Sequence, residues 1–231
     1  MLLDVGPDII IDARHNGPPG TGNGGWTAGL IGARLDPGAE ESAEVTLRKP
    51  PPLEVPMRVT AAAQGIEVVS PAGEMIATAR PREADIPAVP SVAADEAREA
   101  SKRYPGHGYH HFPTCFVCGP RRPDGLRIFP GLVDEGRTAA IFDVPAEIDQ
   151  PMVWASLDCP GGWTVIDSDS PWVLGRIAAI VDELPKPGDE CVVVGQVVSR
   201  QGRRALVRTS LYAPLGGLLA RAEATWIRLP V

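Results

Sequence analysis

The sequence predicts an α+β fold in which two antiparallel sheets each curl around one central helix. Three observations lead there. The same order of elements (helix, strand, strand, turn, strand) recurs in both halves of the 231-residue chain. Two short segments, WTAGLIGA (26–33) and VWASL (153–157), are apolar on all sides and rich in small residues, as a helix enclosed by strands requires. Finally, PAGEMIATA (71–79) and PLGGLLARA (214–222) share Pro, Gly and two Ala at equal offsets, each at a turn between strands.

In the first half, the glycine-rich HNGPPGTGNGG (15–25) runs into the helical segment WTAGLIGARL. Glycines there permit close backbone approach. Strands are predicted at EVTLRK (44–49), MRVTAAAQ (57–64), GIEVVS (65–70) and EMIATAR (74–80), the last after a turn at Pro71-Ala72-Gly73. Pro81 to Ser101, rich in Pro, Ala and acids, reads as a linker with a short helix at ADEAREA. The second half offers LRIFPGLV (126–133), TAAIFDV (138–144) and the MVWASLD segment (152–158). WVLGRIAAIVDEL, ECVVVGQVVSR, RALVRTSLYA and LLARAEATWIRL follow as strands, with turns at Gln201-Gly202 and Pro214-Leu215-Gly216. The exposed edges of two such sheets would pair, making the chain a fused dimer.

Composition narrows the function. The chain is 44% apolar, with a net charge of −7 and a pI near 5.1, which argues against nucleic acid or an anionic membrane as the main partner. No stretch approaches the ~20 apolar residues of a transmembrane helix. The N-terminus, MLLDVGPDIIIDARHN, carries three aspartates and no basic leader region, and four cysteines do not suggest a disulfide scaffold. A soluble cytoplasmic protein is expected.

One stretch, WASLDCPGGW (154–163), sets a carboxylate, Asp158, directly after an apolar run. Burying an unpaired carboxylate costs several kcal/mol, so it needs a reason. Three segments resemble one family, the hotdog-fold acyl-CoA thioesterases. CFVCGPRRPDGLRI (115–128) is similar to a segment found in many proteins of that superfamily. GTGNGG (20–25) resembles their G-x-x-H-G-G loop at the start of the central helix, and MVWASLDCPGG (152–162) resembles the helix that carries the active-site carboxylate in the phenylacetyl-CoA thioesterase-like branch. The resemblance implies a double hotdog, with a first unit at 1–90, a linker at 91–113 and a second unit at 114–231. It also implies an acyl-CoA substrate, no cofactor, and pairing of double units into a homodimer.

In the family pattern the carboxylate lies nine residues beyond the loop histidine. Nine beyond Asn23 stands Gly32, and nine before Asp158 stands Asp149, with Asp149-Gln150-Pro151 in place of His-Gly-Gly. Each half thus keeps one part of the site. The resemblance implies that the first half's loop meets Asp158 of the second, leaving the reciprocal site degenerate. Asp158 would act as general base or as nucleophile. The N–H groups of Gly24 and Gly25, at a helix N-terminus, would stabilise the oxyanion. Asn23 replaces the usual His; its amide can hydrogen-bond but cannot serve as a base.

Other readings compete. Asp158 is also placed to cap a helix starting at Pro160, or to join an ordinary buried ion pair. Arg121 and Arg122 are candidates for holding the CoA phosphates. His15 and Asn16 read as surface loop residues, and Asn16 with Trp26 completes the substrate-binding set. Cys115 and Cys118, behind His110 and His111, have a zinc-like spacing, but reduced cysteines packing their segment is the expectation, with no metal. Cys159 as a nucleophile lacks a companion His motif. Two other functions are open: a non-catalytic acyl-CoA or acyl-chain binder, and an enoyl-CoA hydratase, which would want a His after Asp158 that the chain does not have.

Overall fold

A computed structural model describes residues 6–35 and 41–230, so the first five residues of the N-terminal segment lie outside it. Helix α1 (Gly24–Gly32) follows the glycine loop, then strands β1 (Glu41–Leu47), β2 (Arg58–Ala62), β3 (Gly65–Val69) and β4 (Met75–Glu83). Helix α2 (Ala94–Lys102) leads to β5 (Gly131–Asp134) and β6 (Arg137–Asp143). Helices α3 (Gln150–Ser156) and α4 (Asp158–Gly162) precede β7 (Trp172–Val181), β8 (Glu190–Gln201), β9 (Arg204–Tyr212) and β10 (Leu218–Arg228).

The two half-sheets join edge to edge, so the strands form a single continuous ten-stranded sheet in the order β2-β3-β4-β1-β7-β10-β9-β8-β6-β5. The joint is the antiparallel β1–β7 pair, with Val45 opposite Ile177 and Ala43 opposite Ala179. Pairing satisfies two rows of backbone groups that separate sheets would leave at open edges. Outward from this joint each half repeats one order, β1-β4-β3-β2 on one side and β7-β10-β9-β8 on the other. Even the next neighbour corresponds: Ile9 bridges Met57, just before β2, as β6 pairs with β8. Glu44, itself buried on β1, pairs with Arg80 of β4 at 2.8 Å and lies 3.7 Å from Arg176 of β7, tying the joint with charge.

The helices pack as their residues require. On α1, Gly25, Trp26, Thr27, Ala28, Gly29, Ile31 and Gly32 are all buried, so a helix with no polar face sits between α3 and strands β1 and β7. Helix α3 stops at Ser156 and α4 restarts at Asp158, because Pro160 has no N–H to give the carbonyl of Ser156 and its ring crowds that turn. The short α4 lies across β6 to β10.

Two expectations change. The Pro/Ala-rich stretch is not a free linker: α2 forms where ADEAREA predicts it and packs on β5, β6 and β8. Ala97 and Ala100 meet Ala139, Val192 and Val194 there, while Tyr212 donates its hydroxyl to the carbonyl of Val89. Val193 faces the main core instead, so β8 is buried on both faces and reads as an unbroken Val run. The strand expected over LRIFPGLV begins only at Gly131, because Arg127 adopts φ 54°, outside any strand conformation. Among the described residues, no helix is long and apolar enough to cross a membrane.

Candidate active site

The site grows from the first turn of α1. Asn23 is its N-cap, and Asn23 Oδ1 accepts the N–H of Trp26 at 2.9 Å. That fixes the amide so that Nδ2 points away from the helix, donating to Asp158 Oδ2 at 3.2 Å and reaching Cys115 Sγ at 3.9 Å. The N–H of Gly25 donates to the same Asp158 oxygen at 2.9 Å. A Cβ at Gly25 would sit 2.6 Å from that of Asp158 and 2.7 Å from the carbonyl oxygen of Trp154, and one at Gly29 would sit 2.6 Å from Pro151 Cα. The two glycines are therefore what lets α1 and α3 cross in direct contact.

Asp158 is only 2% exposed. It does not cap α4, which has no side-chain cap; its carboxylate crosses instead to the N-terminus of α1, where free N–H groups and the helix dipole favour it. Its second oxygen, Oδ1, is buried without a partner. Burial pushes the carboxyl up to about 7; the Gly25 and Asn23 donors pull the other way, and the Cys115 sulfur adds to the rise. A carboxyl held by one oxygen, with the other free, is arranged to exchange a proton.

Asn23, Gly24 and Asp158 line a cavity of about 520 Å³. Trp163, Trp172, Leu174 and Trp226 form an apolar wall, and the exposed Arg48 and Lys49 line it too. The indole N–H groups of Trp172 and Trp226 are buried without partners. Gly24 opens the first helical turn, so its N–H has no acceptor within the helix.

The four substrate-binding candidates, Asn16, Trp26, Arg121 and Arg122, lie apart from this cavity. Trp26 is buried under His15, the rings 3.6 Å apart and nearly parallel, with Phe116 edge-on to both. Asn16 and His15 are buried, not surface loop residues: Asn16 accepts from Arg122, its carbonyl accepts the N–H of Phe116, and His15 packs in the ring cluster. Arg122 is committed to Asp124, Asn16 and the Arg14 carbonyl, and Arg121 is exposed on the same turn, so neither lines the cavity. Sequence reasoning passed over Arg48 and Lys49, whose signal was a basic pair before three prolines, RKPPP, directly after β1.

The cysteines converge more than their spacing in sequence implies. The sulfurs of Cys115, Cys118 and Cys159 all lie within 4.8 Å of one another, with 4.0 Å between those of Cys115 and Cys159. All three residues are buried and line the cavity next to Asp158.

No protein-family model matches the chain, and no curated protein does. Solved structures do. A hot dog fold protein of unknown function from Alicyclobacillus acidocaldarius is 16% identical, over 100% of this chain and 97% of that one, with a TM-score of 0.61. The tesB protein of Mycobacterium avium subs paratuberculosis is 12% identical over 99% and 96%, with a TM-score of 0.61. A protein of Thermobifida fusca, provisionally named thioesterase II, is 12% identical over 100% and 96%, with a TM-score of 0.62. At these identities the likeness is one of architecture, and on it the chain has the hotdog fold.

Proposed function

We propose that the protein hydrolyses an acyl-CoA thioester in the cavity its two halves share. One observation carries this reading. Asn23 and Gly25 from the first half converge on Asp158 from the second, at the cavity wall. The thioesterase II name of one full-length structural neighbour, the Thermobifida fusca protein, supports it. We read the halves as copies of one unit that have divided a single site between them.

In this mechanism Asp158 is held through Oδ2, and its unpartnered Oδ1 takes a proton from a water molecule. The hydroxide attacks the thioester carbonyl, and the N–H of Gly24 stabilises the oxyanion from the helix N-terminus. Gly25, whose N–H already serves Asp158, anchors the base instead. Collapse of the intermediate breaks the C–S bond, and the proton on Asp158 passes to the leaving thiolate. The acyl group lies along the tryptophan and leucine wall, while Arg48 and Lys49 meet the phosphates of CoA.

The test is release of free CoA thiol from a panel of acyl-CoAs by purified protein. Turnover should fall about 10²–10⁴-fold in Asp158→Asn, which keeps the shape of the side chain and removes its basicity. Tight acyl-CoA binding with no thiol release would contradict the proposal and identify a binding protein.

A further inference from the structure

We propose that Cys115, Cys118 and Cys159 bind one Zn²⁺ through three thiolates, with the fourth coordination position opening on the cavity beside Asp158. Zinc–sulfur bonds of ~2.3 Å at tetrahedral angles set sulfurs about 3.8 Å apart. The Cys115 and Cys159 sulfurs are already at 4.0 Å and all three within 4.8 Å, so closing on an ion takes shifts of less than about 1 Å.

The surroundings suit an anionic thiolate cluster. Trp163 Nε1 donates to Cys118 Sγ at 3.5 Å. His110 Nδ1 accepts the N–H of Phe112 at 2.9 Å, which leaves the proton on Nε2, 3.3 Å from Cys118 Sγ. His110 is therefore a hydrogen-bond donor to a ligand sulfur and not itself a ligand. Such outer donors orient and charge-balance metal-bound thiolates. Three soft sulfur ligands select Zn²⁺ over Mg²⁺ or Ca²⁺, and three protein ligands with one open position make a site accessible to a cavity-bound molecule. Each thiol gives up its proton as the ion enters. The inference does not depend on thioester hydrolysis, and its test reads the metal alone.

The experiment is a Co²⁺ titration of the full chain, stripped by chelator under reductant. One Co²⁺ per chain is expected, with sulfur-to-cobalt charge-transfer absorption that Zn²⁺ abolishes. Bound Zn²⁺ should also shield three thiols from alkylation and leave Cys191, buried in β8, at its unliganded rate. Cys191→Ser should bind unchanged. His110→Ala should weaken binding about 10–100-fold, as loss of an outer partner does, and Cys159→Ser more than that. A stripped, reduced, folded protein that takes up no Co²⁺ would overturn the proposal, as would a band that persists in Cys159→Ser or a native disulfide among the three cysteines.

Discussion

The starts of α1 and α3 meet matching stretches of the opposite helix, Gly25 lying against Ala155 and Gly29 against Pro151 in an antiparallel crossing. Each begins with a side-chain cap, Asn23 holding the N–H of Trp26 and Asp149 holding that of Met152 at 2.9 Å. Beyond the cap they diverge. At α1 the facing residue is Asp158, and the space beyond it is the cavity. On α1, Gly32 stands at the position nine beyond Asn23, and a Cβ there would sit 3.3 Å from the indole of Trp154, which is 2% exposed and fills that space. Asp149 satisfies its own helix, whereas Asn23 caps with one end of its amide and reaches across with the other. One crossing thus keeps its polar groups at the cavity, while the other packs shut.

That contrast can be broken at several points. The largest effect on stability is expected from Trp154→Ala, which hollows the packed crossing and should cost about 3–5 kcal/mol in denaturant unfolding. It should create no second active site, since Gly32 supplies no carboxylate. A smaller effect concerns the ring cluster that braces the α1 start, where the N–H of Asn23 donates to the carbonyl of His15 at 2.7 Å. Burial and the adjacent Arg14 lower His15 from 6.5 to about 4. The folded state thus holds this ring neutral where the unfolded chain would protonate it. The resulting stability is full above pH 6.5 and declines as the pH falls through about 4. Unfolding free energies measured across that range should drop by on the order of 1–2 kcal/mol more in the wild type than in His15→Gln.

Much of the fold was legible in the sequence because it follows from local pattern. The expected turns at Pro71-Ala72-Gly73, Gln201-Gly202 and Pro214-Leu215-Gly216 fall between β3 and β4, β8 and β9, and β9 and β10. What sequence could not carry was the environment of each element. The Pro/Ala-rich stretch looked like a linker because alanines on a short helix give no strong signal; only the valines of β8 opposite them make it a packing layer. Arg127 keeps the start of the expected strand out of the sheet through its backbone conformation, which its residue type does not announce.

At the site, the family resemblance led to the expectation that Asn23 and Asp158 meet, and the two side chains lie 3.2 Å apart. Trp26 was near the loop in sequence yet faces a separate ring cluster, since a helix turns a neighbouring side chain well away, and Asn16 is held by Arg122. Cys159 joined Cys115 and Cys118 only through the packing of α4 beside the Cys-rich segment, a contact between distant parts of the chain.

The most direct measurement compares Asp158→Asn with Asp149→Asn, two identical substitutions at the crossing of α1 and α3. Acyl-CoA hydrolysis should fall about 10²–10⁴-fold in the first. In the second it should stay near the wild-type rate, with a stability loss of at most about 1 kcal/mol because Asn caps as well as Asp. Equal losses in both, or full activity in Asp158→Asn, would contradict a single site divided between the halves.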